Sequence, residues 1–161
     1  MTAKVKLDLS GLRNLKSTTK GRPFVRVGVL SDSASRGDDE DDINNAEIGR
    51  IHEFGDPEQN IPPRSWLAMP LQQRIDELNK AAVSTQATTA LSEGNIENFL
   101  DIVGAQAEAV IQGAFKTQGY GQWPANAPST IKRKGSSQPL IDSGAFRQSI
   151  TSRSYPNGEE T

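Results

Sequence analysis

The sequence predicts an α+β fold in one domain, and three observations carry that prediction. Segments with a two-residue apolar period stand near both ends of the chain, at residues 5–9, 24–30 and 149–155. A long segment of helical period runs through residues 96–115 between them. The length, 161 residues, suffices for a single hydrophobic core. The domain is taken to cover 1–161, with an acidic loop at 31–43 and a long Gly/Pro/Ser loop at 116–139.

Only 34% of residues are hydrophobic and the mean hydropathy is -0.58, so the core is small for the length. The remainder is expected in loops or buried against other subunits. No apolar run approaches the roughly 18 residues of a membrane span, and the opening MTAKVKLDLS lacks the apolar centre of a signal peptide. A soluble protein made in a cytoplasm, with no membrane partner, is the expectation. With zero cysteines there are no disulfides, thiolate metal sites or cysteine nucleophile. Net charge is -2, but residues 1–30 hold seven Lys/Arg against one Asp, while residues 31–60 hold two Arg against ten Asp/Glu. Such blocks are two solvated faces in a monomer. In a ring the basic block of one copy can meet the acidic block of the next.

In chain order, Val5, Leu7 and Leu9 alternate with polar residues as a half-buried strand does. A connection rich in Lys, Ser and Thr follows, and then FVRVGVL sets Val25, Val27 and Val29 on one side of the clearest strand. Gly28, on its other face, marks a bulge or a close neighbour. The run Asp38, Asp39, Glu40, Asp41 and Asp42 repels itself and has little to bury, which predicts an exposed loop. A Ca²⁺ site there lacks the glycine at position six and the distal glutamate of an EF-hand loop. The run can also face basic residues or line a channel through which DNA slides without sticking.

Asn44 is placed to cap a short helix, with Glu47 three residues on, and Gly55 to stop it. Its Ile48, Ile51 and His52 share a face. Prolines 62 and 63 hold the backbone extended and aim the residues from Arg64 to Leu67 in a set direction, making an elbow. Leu71, Ile75, Leu78 and Ala82 then predict one helix from about residue 65 into the eighties, with Pro70 disturbing its start. Residues 81–92, AAVSTQATTALS, lose the apolar stripe and are expected to fray before Gly94. Asn95 caps the core helix, whose Gly104 and Gly113 allow close backbone approach. Residues 116–139 read as a loop carrying Tyr120 and Trp123. A turn or short helix at 140–147 leads into the last strand.

Catalytic signatures are sparse. His52 is the single histidine, and His52–Glu53 begins like HExxH, but Asp56 stands where the second histidine belongs. No nucleophile elbow, Walker loop or dinucleotide fingerprint is present. His52 is expected to be partly buried at the rim of its helix, bonded to a backbone carbonyl. Lys132, Arg133 and Lys134 can touch a phosphate backbone, without an element for reading DNA sequence. Trp66 either anchors a helix to the core or sits at a subunit boundary with Arg64.

The succession AEIGRIHEFG (46–55), IPPRSWL (61–67), a helical middle, GQWP (121–124), TIKRKG (130–135) and PLIDSGAFRQSI (139–150) resembles tailed-bacteriophage tail-completion or neck proteins, of the HK97 gp10-like and Mu virion-morphogenesis type. The resemblance covers about residues 23–152. It implies a small antiparallel sheet packed against a long helix, in a subunit that forms a ring, typically six-fold, between tail tube and head connector. It carries across no catalytic residue and no cofactor. A virion location in the tail or neck is implied, with self, tail-tube or terminator and head-connector proteins as partners and DNA passing without sequence-specific binding.

Arg64, Trp66, Tyr120, Trp123, Phe146 and Arg147 are expected at a subunit interface, where Trp, Tyr and Arg are suited by apolar faces with polar edges, and Asp38 to Asp42 at a channel or a charge-pairing contact. For Trp123 a rival reading stands, in which it folds back onto the core helix near Phe115. For the whole chain the alternatives are a head-completion, stopper or minor tail protein, a host-protein-binding regulator, and an oxygen-ligand metal hydrolase using His52, Glu53 and the acidic loop.

Overall fold

The computed structural model describes residues 21–35 and 43–158. The expected strand at 5–9 and the acidic run 38–42 lie outside them. Two strands, β1 (Phe24–Val29) and β2 (Ile150–Tyr155), pair antiparallel from Phe24 against Tyr155 to Val29 against Ile150. Between them come seven α-helices among the described residues: α1 (Asn45–Phe54), α2 (Ala68–Gln73), α3 (Ile75–Ala82), α4 (Thr85–Ser92), α5 (Ile96–Lys116), α6 (Pro128–Lys134) and α7 (Ala145–Gln148). The predicted small antiparallel sheet on a long helix is what the chain forms. Both strands pack on α5, and so do α2, α3 and α4.

Helix α5 persists for 21 residues because Asn95 caps it, the Asn98 N–H donating to Asn95 Oδ1 at 3.0 Å, and because one stripe of it is apolar. Leu100, Gly104, Ala107, Val110, Ile111, Ala114 and Phe115 are buried on that stripe. Gly104 is where the sheet comes closest. A Cβ there would lie 2.7 Å from Ser152 Oγ and 3.0 Å from Val25 Cγ2, so only glycine leaves room for both strands. Two carboxylates fix the register, Glu108 accepting from the Ser152 N–H and Asp101 from the Ser154 hydroxyl. Gly28 sits in regular register opposite Thr151, so no bulge forms there.

Two helical expectations need correction. The single helix over 65–82 is two helices, separated at Arg74, whose φ of -110° and ψ of 25° break the axis. Pro70 costs nothing, being in the first turn of α2, where its nitrogen has no intrahelical acceptor. Ile75, assigned to the apolar stripe, is instead half exposed. Residues 85–92, expected to fray, form α4. Ser84 caps it, and Ala87 and Ala90 are buried against α5 at 0% and 1% exposure. Small side chains bring the two helix axes close and are wholly buried, although they add little to an apolar stripe.

Candidate functional site

The motifs of the resemblance converge in space at the C-terminal end of α5. Helix α1 starts where expected, with the Glu47 N–H on Asn44 Oδ1 at 2.9 Å, and Gly55 ends it with φ of 78°. At its far end Glu53 reaches across the proline elbow. Its carboxylate accepts from the Ser65 hydroxyl at 2.7 Å and from the N–H groups of Trp66, Leu67 and Ala68 at 2.8, 3.0 and 3.1 Å. These donors include the unpaired amides at the start of α2, so Glu53 caps α2 from outside and its charge meets the positive end of that helix. Sequence reasoning assigned Glu53 only to a metal reading. The signal it carried was an acidic residue in the last turn of α1, ahead of an elbow that feeds a helix whose N-cap residue, Leu67, has no capping side chain.

Trp66 is 4% exposed, donates Nε1–H to Gly49 O at 2.8 Å, and stands edge-on to Phe146 with centroids 5.0 Å apart. Trp123 is 7% exposed, donates Nε1–H to Ser65 O at 2.9 Å, and is edge-on to Phe115 at 5.3 Å. A Cβ at Gly119 would fall 2.3 Å from the Trp123 ring, and Gly119 has φ of 66°, so the turn that delivers the tryptophan requires glycine. Arg64 is buried too. Its Nε and Nη2 donate to Pro124 O at 2.8 Å and Ala125 O at 3.0 Å, while its backbone N–H donates to His52 O.

Four of the six expected interface residues, Arg64, Trp66, Trp123 and Phe146, are therefore interior residues of the subunit, and their assignment to an interface is corrected. The side-chain N–H groups of Arg64, Trp66 and Trp123 donate to backbone carbonyls of the same chain. Tyr120 is half-buried, its OH donating to Val110 O at 2.7 Å and its ring lying under the Arg74 guanidinium at 4.3 Å. Arg147 donates through Nε to Gln112 Oε1, and Gln112 returns a bond to Arg147 O. The 116–139 segment is thus not an unsupported loop: turns tied to α5 lead into α6, which starts with Pro128 and ends at Gly135. Lys132, Arg133 and Lys134 lie in the last turn of α6, where the helix dipole favours cations.

Between α1, the elbow and the segment around α6 lies a cleft of about 810 Å³, lined among others by His52, Arg64, Arg133, Lys134 and Asp142. His52 does not make the expected carbonyl bond through Nδ1, which is buried without a partner among the described residues. Burial, with the Arg64 and Lys134 charges adding to it, lowers its pKa from 6.5 to about 4, so the ring is neutral near pH 7. Burial also lowers the pKa of Lys134, with Asp142 opposing and Arg64 and Arg133 reinforcing that shift. No group of three or more metal-ligating side chains occurs among the described residues, and no helix among them is long and apolar enough to cross a membrane. Comparison with protein-family models, curated proteins and solved structures finds no match to this chain.

Proposed function

We propose that the chain is a non-enzymatic structural subunit of a tailed-bacteriophage virion, one that assembles into a ring completing the tail end and joining it to the head connector. One observation carries the reading: the ordered motifs that resemble tail-completion proteins form one packed unit. Arg64 and Ser65 of IPPRSWL hold the backbone after GQWP and the Trp123 indole, and Trp66 seats between Gly49 of the first motif and Phe146 of the last. Residues that come together in this way are a scaffold, and they specify the direction in which α1, α2 and α6 leave it. The metal-hydrolase alternative loses Glu53, whose oxygens are occupied by four donors. Assembly supplies burial between subunits that a chain with 34% hydrophobic residues lacks within one subunit. Electron microscopy of particles carrying a tagged copy tests the reading. Ring-shaped density with the tag at the head-proximal end of the tail is expected. Particles complete without the chain would overturn it, and a tag on the head vertex would favour the head-completion alternative.

A further inference from the structure

The two edges of the sheet are finished differently. On β2 the Ser152 N–H donates to the Glu108 carboxylate of α5, so it turns away from β1. In an antiparallel ladder only alternate residues exchange backbone bonds with the partner strand, so Ser152 and its register partner Val27 are a non-bonded pair. The bonded pairs are then Phe24 with Tyr155, Arg26 with Arg153 and Gly28 with Thr151. Val25, Val27 and Val29 consequently turn their N–H and C=O groups to the outer edge of β1, where they make no hydrogen bond among the described residues. Beside that edge runs a groove of about 520 Å³, walled on its other side by Ala46 of α1, Trp66 and Leu67 of the elbow and Leu71 of α2. Helix α5 thus closes one edge with a carboxylate, while the other edge stands open along an apolar wall.

Donors and acceptors repeating roughly every 7 Å along a strand are matched by one kind of ligand, a polypeptide in extended conformation. Apolar side chains at its alternate positions meet the groove wall, and those between them face the exposed side of the sheet. Val25 and Ser152 approach α5, so the exposed side is the one that carries Arg26 and Arg153, which are cross-strand partners. Arg153 pairs with Asp32, and the Arg26 guanidinium lies over the Phe24 and Tyr155 rings. On a third strand, a basic residue set beside Arg26 is disfavoured and an acidic one favoured. This charge disfavours two internal candidates. A second copy of β1 would bring its own Arg26 to that face, and the chain's other alternating segment, residues 4–9, has Lys4 and Lys6 at its polar positions. We propose that the β1 edge docks an extended segment of a different protein as a third strand, apolar at alternate positions and acidic or neutral between them. The chemistry of this edge does not depend on ring formation.

The test uses the full chain, isotopically labelled for resolution of single amides, with the capped peptide SVDVDVS as the probe and hydrogen exchange as the readout. The Arg26 and Gly28 amides, bonded to β2, should be protected throughout. Those of Val25, Val27 and Val29 should exchange freely in the chain alone and slow at least tenfold when the peptide saturates the edge. Replacing the peptide's Asp by Lys should weaken binding at least tenfold, and Arg26→Glu should reverse that preference. Methylating every peptide nitrogen removes the edge donors, keeps the side chains, and should abolish the protection. Protection that the peptide does not change, or equal effects of the Asp, Lys and methylated peptides, overturns the proposal. So does protection of the three valines before peptide is added: in a dilute monomer it assigns the edge to the chain's own segment, and if it grows with protein concentration it assigns the edge to a second copy.

Discussion

The two halves of α5 are packed by opposite means. Along its N-terminal half the neighbours are small: Ala87 and Ala90 of α4, and Val25 and Ser152 of the sheet against Gly104. At its C-terminal end Phe115 meets Trp123 and Phe146, and Phe146 meets Trp66. The first half gains contact by letting backbones approach, so it is intolerant of added volume. The second gains it from large rings whose N–H groups are each matched to a carbonyl, so it is intolerant of lost volume and of lost partners. The motifs of the resemblance gather at the aromatic end, while the small-residue end supports the sheet.

Substitutions should separate the two ends by whether lost or added volume does the damage. Phe115, at 0% exposure against the rings of Trp123 and Phe146, should show the largest effect. Phe115→Ala is expected to cost about 3–5 kcal/mol in urea unfolding. A cost below 1 kcal/mol would mean that the aromatic end is loosely packed.

Next comes the pH response of the same end, where the His52 ring lies 6.0 Å from Phe146. The unfolded histidine binds a proton near 6.5, whereas the folded one resists until about 4. The unfolded state therefore binds more protons between these values, and stability falls as pH falls through that window. At about 1.4 kcal/mol per pH unit the loss approaches 3 kcal/mol by pH 4. It should be missing from His52→Gln, so the difference between wild-type and variant unfolding energies at pH 7 and 4.5 reads it directly. A pH-independent difference would contradict the buried neutral ring.

At the small-residue end the vulnerability is to added volume. Gly104→Val adds volume where Ser152 and Val25 leave none, and should cost about 1–3 kcal/mol in spite of the better backbone propensity. The smallest effect is local: Asn95→Ala removes the cap of α5 and should cost about 1 kcal/mol.

The same contrast explains what was legible in the sequence. Caps at Asn44 and Asn95, the stripe of α5 and the alternation of β1 are written within a few residues of each other, and all three appear as read. Helix α4 was not legible because Ala87 and Ala90 carry little hydropathy, while their burial depends on how closely α5 approaches. The order of residues 117–127 was hidden for a different reason. Its bonds span long separations, as from Arg64 to Pro124 and from Trp123 to Ser65, and no local pattern announces them. Glu53 was missed likewise, since its donors stand 12 to 15 residues downstream. The cleft brings His52, Arg64, the pair Arg133 and Lys134, and Asp142 to one place from separate stretches of the chain, which no spacing encodes.

Trp123 tests most directly the claim that the motif residues lock the subunit and do not join it to a neighbour. The measurement is one urea-denaturation curve of purified Trp123→Ala beside the unaltered protein. Loss of the ring against Phe115 and of the bond to Ser65 O predicts a destabilisation of about 3–5 kcal/mol, with cooperative unfolding retained. A curve that overlays the unaltered protein, from a variant that nevertheless fails to assemble, would contradict that claim and return Trp123 to the interface.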